Sequence, residues 1–176
     1  MMTIGHSTFS IASFLRALKD NECKLLVDVR RYPGSRKYPQ YVQEELFASL
    51  NAEDICGVWR EGLGGRRAAR KDSMNVGWRN ESFRGYADYM QTPEFAGHIE
   101  WLMSQENLGR VALMCAEAVP WRCHRSLIGN AVVARWEGVE DVFVLPDGRS
   151  SRKPHTMTSF ARIEGSRLFY PADDRP

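Results

Sequence analysis

The chain has no run approaching the ~18 apolar residues that a membrane-spanning helix needs, and its sequence excludes such a span. Its start, Met1-Met2-Thr3-Ile4-Gly5-His6, lacks a basic stretch followed by an apolar one. No secretory signal is therefore expected, and the expected location is cytoplasmic. Cysteine is sparse: Cys23, Cys56, Cys115 and Cys123 form no CxxC pair and no regular framework. That excludes a disulfide scaffold and leaves reduced thiols, with Cys23 and Cys56 expected in or near the core. No cofactor motif, internal repeat or low-complexity tract is present, so the cofactor is left unknown. Charge of one sign is scarce as well: the net charge is +2, too little to announce a nucleic-acid binder. Lysine is rare, 5 against 19 arginines. Arginine makes forked contacts to phosphate and carboxylate that lysine cannot, although codon bias alone also enriches it.

What is present is one domain's worth of chain, 176 residues, with a core expected over about 2–145 and a polar extension over 146–176. Met2–Ile4 reads as a first strand. Ser7 or Ser10 caps a helix with Ile11, Phe14, Leu15 and Leu18 on one face. Lys24–Val29 reads as a strand buried on both faces, as parallel strands are. A loop follows to Tyr41, then a helix over Val42–Leu50 and a strand over Cys56–Trp59. Residues 61–80 are irregular, and a loop of that length in a compact domain is functional or disordered. Helices are expected over Phe83–Met90 and from Thr92-Pro93-Glu94 to Gln105. A strand at Val111–Cys115, a helix from Trp121 to Trp136 and a strand at Val139–Leu145 complete the core. A last short helix is placed near Thr158–Ile163. Alternating strands and helices predict an α/β fold, a mostly parallel sheet of about five strands with helices on both faces.

Right-handed crossovers bring the strand carboxyl ends to one edge, where open α/β sheets bind ligands. Four successive strands deliver polar residues there: His6-Ser7, Asp28 and Arg30, Glu61 with Gly64-Gly65, and Cys115-Ala116-Glu117. These motifs, with Thr3-Ile4-Gly5-His6-Ser7, Pro33-Gly34-Ser35-Arg36, Phe83-Arg84-Gly85-Tyr86-Ala87-Asp88-Tyr89-Met90 and Cys123-His124-Arg125, run in one order from about Thr3 to Ala161. In that arrangement the chain resembles the domain of unknown function 488 (DUF488) family. The resemblance implies an architecture and one shared site, and no activity.

Each candidate has competing readings. A thiol at a strand end near a helix amino terminus becomes a nucleophile. Yet six residues separate Cys115 from Arg122 where the phosphatase cradle has five, the short cysteine loop of rhodanese-type sulfurtransferases is missing, and Cys123 also fits a helix face with Leu127 and Ala131. Glu117 is expected to pair with Arg125 or Arg122, to act with His124 in proton transfer, or to hold a ribose hydroxyl. A metal site is the alternative, drawing on His6, Cys115, Glu117, His124 and His155, with Cys123 as a further ligand type, though no compact ligand spacing supports it. The leading expectation is a phosphate-bearing ligand, nucleotide or nucleic acid. It would be clamped by Arg30, Arg36 and Arg125, with Arg84 a further ligand-binding candidate, among His6, Ser7, Asp28 and Cys123, over the positive end of the helix after Pro120. The alternatives are a metal- or cysteine-dependent hydrolase or sulfur-handling enzyme, and a non-catalytic nucleic-acid module using two Arg/aromatic loops. Arg66 and Arg67 are expected outside the pocket. Oligomeric state is not legible.

Overall fold

The computed structural model describes residues 1–34, 36–136, 138–165 and 167–172. Ser35, in the Pro33–Arg36 motif, lies outside them. The central strands are buried almost throughout, as parallel strands covered on both faces are. β1 (Met2–Gly5), β2 (Cys23–Asp28), β3 (Cys56–Trp59), β4 (Arg110–Cys115) and β5 (Glu140–Val144) pair in parallel. β6 (Ser150–Pro154) adds an antiparallel edge, giving six strands in the order β3-β2-β4-β1-β5-β6. A separate ribbon pairs β7 (Arg162–Glu164) with β8 (Arg167–Phe169). The helix expected near Thr158–Ile163 does not form: its end is taken by β7, whose partner β8 inserts Leu168 into the core. The stretch read as a polar extension thus supplies one strand of the main sheet and two buried core residues, Leu168 and Tyr170.

Helices cover both faces. α1 (Ile11–Asp20) and α2 (Gln43–Asn51) pack Phe14, Leu18, Leu46 and Leu50 against Met2, Ile4, Leu26 and Met114. α3 (Glu81–Tyr89), α4 (Pro93–Ser104) and α5 (Arg125–Val133) pack Tyr86, Phe95, Ile99 and Leu127 against Leu25, Val27, Val111 and Leu113. Capping follows residue type: Ser10 accepts from the Ser13 amide, Asn80 from the Ser82 amide and Thr92 from the Phe95 amide. Cys23 is buried as expected, whereas Cys56 is exposed at the start of edge strand β3. Among the described residues no helix is long and apolar enough to cross a membrane.

α5 begins later than its sequence suggests. Pro120–Arg122 forms a single 3-10 turn, and Cys123 is extended at φ −132° and ψ 143°. Cys123 therefore lies in the β4–α5 loop, off the helix face with Leu127. The first amides of α5 are already used: those of Arg125, Ser126 and Leu127 donate to Cys123 Sγ, Cys123 O and His124 O. The helix end proposed for an anion is thus occupied by its own loop.

Because β4 returns between β1 and β2, the carboxyl ends of these three strands meet where the strand order reverses. Their ladder runs on past the strands, with the His6 amide donating to Cys115 O and the Ser7 amide to Ala116 O. A side chain at position 5 would interrupt this close approach. A Cβ there would sit 1.8 Å from Glu117 O and 2.9 Å from an Arg125 nitrogen. Gly5→Ala is expected to cost about 3 kcal/mol or more by overpacking, about 6–12 °C in melting temperature for a chain of this size. Gly97→Ala in α4, where the new methyl meets nothing within 4 Å, should be neutral or stabilising by up to ~1 kcal/mol. Thermal unfolding of the two variants side by side checks both.

Candidate functional site

Two contiguous clefts open at this switch point. The larger, about 480 Å³, is lined by His6, Ser7, Arg30, Tyr32, Glu117 and Arg122 among others. The smaller, about 250 Å³, is lined by Arg30, Arg31, Tyr32, Gly65, Arg66, Cys115, Ala116, Glu117 and His124. Glu117 is exposed and is the carboxylate common to both. Two lining residues, Ser7 at φ 45° and Arg66 at φ 59°, hold the left-handed backbone that non-glycine residues avoid. Such strain costs about 1–3 kcal/mol and persists where surrounding structure fixes it. Here the Ser7 amide is held by Ala116 O and the Ser7 carbonyl by the His6 ring.

Cys115 and His124 line the floor of the smaller cleft, with Cys123 buried against them. The Cys115 and Cys123 sulfurs and a ring nitrogen of His124 lie within 4.8 Å of one another. His124 Nε2 sits 3.0 Å from Val29 O, which places its proton there and turns Nδ1 toward the thiols, 3.7 Å from Cys123 Sγ. Gly65 makes room for the ring, since a Cβ at that position would stand 2.8 Å from Nδ1. Cys115 is 8 % exposed. The Cys123 thiol beside it, and beyond that the Arg125 guanidinium, favour the thiolate and hold its pKa well below the ordinary thiol value, against the cost of burial. Cys123, facing that sulfur, is pushed well above it. Cys23 shows what burial alone does: its thiol is pushed up to about 12. Among the described residues the same three side chains are the group that could hold a metal ion.

The family model for the domain of unknown function DUF488 matches residues 10–132. The chain belongs to the DUF488 family. No curated protein and no solved structure matches it. In this DUF488 chain the family model spans β2, β3, β4 and the Cys115/Cys123/His124 floor.

The strand-end residues do converge, but several arginines act differently from expectation. Arg125 is fully buried. Its guanidinium donates to Glu117 O, to Ala118 O at 2.9 Å and to Thr3 Oγ1 at 3.3 Å, so it braces the loop from behind. It meets the Glu117 backbone, and no ion pair forms at the Glu117 side chain among the described residues. Arg30 lines both clefts yet grips Asp28 through Nε at 2.9 Å and Nη2 at 2.6 Å, and donates from Nη1 to Tyr41 O at 2.8 Å. Burial pushes the Asp28 carboxyl above its usual range, outweighing the pull of Arg30 in the other direction. Arg36 is exposed and Arg84 leans on Arg79 O at 3.5 Å; neither lines either cleft. His155 is remote from the thiols, holding Asp141 Oδ2 at 2.9 Å and Asn130 Oδ1 at 3.0 Å. His6 and Glu117 also stay outside the group at the floor.

Conversely Arg66, expected outside, lines the thiol cleft with its guanidinium 5.4 Å from the Tyr32 ring, while Arg67 turns away to stack on Tyr89 at 3.7 Å. Arg31 and Tyr32, which the sequence offers as part of an Arg/aromatic loop and not of the pocket, line it too, and Tyr32 is 65 % exposed at the mouth. Their sequence signal is the interleaving of arginine with tyrosine between Asp28 and Tyr41. Thr3 and Asp141, joined at 2.6 Å behind Arg125, gave none.

His6 is buried at 3 % exposure, stacks on Tyr41 at 4.0 Å and faces Arg30 Nη1 at 3.3 Å. Its Nδ1–H donates to Ser7 O, so Nε2 accepts from Arg30. Burial first, and Arg30 second, bring its pKa down to about 4. A depressed pKa means that the folded state resists protonation. The stabilisation is complete above about pH 6.5 and is lost as pH falls toward 4, on the order of 3 kcal/mol for this group. Chemical denaturation at pH 7 and pH 4 should show that loss, and His6→Asn should flatten this part of the profile although it is less stable at pH 7.

Proposed function

We propose that this protein is a cysteine-dependent enzyme acting on an anionic, phosphate-bearing substrate held in the strand-end clefts. The observation that carries the reading is the gathering of the Cys115 and Cys123 sulfurs and the His124 ring at the floor of a cleft lined by Arg30, Arg31 and Arg66. A thiolate in an electropositive, partly accessible setting is a nucleophile. Arg66 and Arg31 replace Arg125 and Arg36 as the cations that reach the ligand. Arg31 pairs with Glu61 at 3.1 Å, a half-exposed contact that a phosphate can displace. Tyr32, with Arg66 beside its ring, offers a platform for a planar group. A nucleotide, free or within a strand, is therefore the favoured ligand class.

In this reading Cys115 Sγ attacks an electrophilic centre of the substrate, the leaving group departs with a proton relayed through Cys123 and His124, and a thio-linked intermediate results. Water activated by Glu117, the carboxylate shared by both clefts, hydrolyses that intermediate and regenerates the thiolate. Cytoplasmic residence, where thiols stay reduced, suits such a site.

Peptide-level mass spectrometry after brief alkylation tests the proposal, with iodoacetate and iodoacetamide as anionic and neutral probes. Cys115 should react at least about tenfold faster with iodoacetate than exposed Cys56 does, as expected for a thiolate among cations. Arg31→Ala with Arg66→Ala should erase most of the preference for iodoacetate and leave the iodoacetamide rate nearly unchanged. Labelling of Cys56 with Cys115 inert would overturn the reading. So would a stoichiometric metal, released by chelation and required for the protected state of Cys115, which would make the three side chains ligands.

A further inference from the structure

In the mechanism above Cys115 is the nucleophile and Cys123 serves only to relay a proton. Its sulfur is buried, contributes no surface to the cleft, and faces the Cys115 sulfur within 4.8 Å. A second thiol in that position is unnecessary for nucleophilic substitution, since any short polar group could support the first. Three features of its surroundings suit it to form a sulfur–sulfur bond. Its backbone is extended and lies in the loop ahead of α5, held by its own amide donating to Pro120 O and by the Ser126 amide donating to its carbonyl, so the sulfur is presented from a defined loop position. His124 Nδ1, 3.7 Å away, carries the lone pair left when Nε2 donates to Val29 O, and can take the thiol proton. The Arg125 amide points at Cys123 Sγ from 3.5 Å, ready to stabilise negative charge on it.

We infer that Cys115 and Cys123 form a peroxide-reactive pair, in which Cys115 is oxidised first and Cys123 resolves it as an intramolecular disulfide. This deepens the proposed function, because it rests on Cys115 being an accessible nucleophile. The chemistry balances with one hydroperoxide as oxidant. The Cys115 thiolate attacks a peroxide oxygen, the O–O bond breaks, and hydroxide or alkoxide leaves with a proton from the medium. The sulfur is now a sulfenic acid, two electrons oxidised. Cys123 passes its proton through His124 to the departing hydroxyl, its sulfur attacks Cys115 Sγ, the S–O bond breaks, and water leaves as the S–S bond forms.

A disulfide needs a sulfur separation of about 2.05 Å and Cβ atoms about 3.8 Å apart. The bond therefore draws Cys123, two residues ahead of α5, toward the end of β4 and closes the intervening loop, residues 116–122. That loop carries the exposed Glu117 and Arg122 that line the larger cleft. Oxidation would thus remove the nucleophile and reset the cleft wall in one event, while Arg125 continues to hold the Glu117 and Ala118 carbonyls. Peroxide is small enough to reach Cys115 at 8 % exposure. Cys23, buried and pushed up to about 12, has no such partner.

The test is to expose the full-length reduced protein to one to five equivalents of hydrogen peroxide, block free thiols and map the peptides. A crosslinked Cys115–Cys123 peptide, about 2 Da lighter than the two reduced peptides together, with a parallel drop of at least about tenfold in iodoacetate labelling of Cys115, is the expected result. In Cys123→Ser the reaction should halt at a Cys115 sulfenic acid captured by dimedone. Cys115→Ser should give neither product. Conversion of wild-type Cys115 to sulfinic acid with Cys123 still reduced would overturn the inference, as would a disulfide through Cys56 instead. If the disulfide fails while the iodoacetate preference at Cys115 persists, only this inference falls. If Cys115 resists both peroxide and alkylation, the proposed function falls with it.

Discussion

A guanidinium with no exposure to solvent holds this site together. Arg125 leaves the first residue of α5 and fixes two carbonyls of the β4–α5 loop, those of Glu117 and Ala118. Its Nε reaches Thr3, whose hydroxyl donates to Asp141 at 2.6 Å. The buried charge is thus met by carbonyl dipoles and, one hydroxyl away, by a carboxylate. Burying a cation is costly unless every donor is used and an anion is near. Once that arrangement is in place it ties β1, β5, α5 and the loop together. Losing the side chain would leave the Glu117 and Ala118 carbonyls without the donor that holds them. Asp141 in turn holds His155, which holds Asn130, and Asn130 donates to Tyr170 and Thr158. One polar chain therefore runs from the loop at the cleft to the C-terminal segment.

A second buried pair performs the same service from the other side. Asp28 and Arg30 close a forked ion pair at the end of β2, with His6 stacked on Tyr41 and accepting from Arg30. The two systems explain why so many arginines near the site are not free to bind a ligand. Arginine is the residue suited to buried pairing, because its fork uses several donors at once. The same property that suggests phosphate recognition in a sequence makes it a structural brace in a fold.

Between these braces the Cys115, Cys123 and His124 side chains are pressed together, and the electrostatics of the cleft follow from position. Cations line the mouth, a thiol and an imidazole face the Cys115 sulfur, and the one shared carboxylate lies out toward solvent. Charge on Cys115 is stabilised, whereas the same residue type at Cys23, buried among apolar groups, is held protonated.

The sequence by itself determined the class of fold and the edge on which the site lies. Hydrophobic period is a local property, so β2, β3, α1 and α4 could be read within a residue or two, and right-handed crossovers then bring β1, β2 and β4 to a common end. Turn and cap chemistry is local too, which is why Ser10 and Thr92 were legible as helix starts. Tertiary structure decided the rest. β6, β7 and β8 are short, polar and edge-bound, with little apolar period to betray them. The start of α5 moved to Arg125 because the Cys123 backbone is drawn into the floor of the cleft instead of the helix. Above all, whether an arginine meets solvent, a carbonyl or a carboxylate depends on groups up to 138 positions apart, as Thr3 and Asp141 are. A linear pattern carries the chemical capacity of a side chain; only the packed chain fixes which of its possible partners it meets.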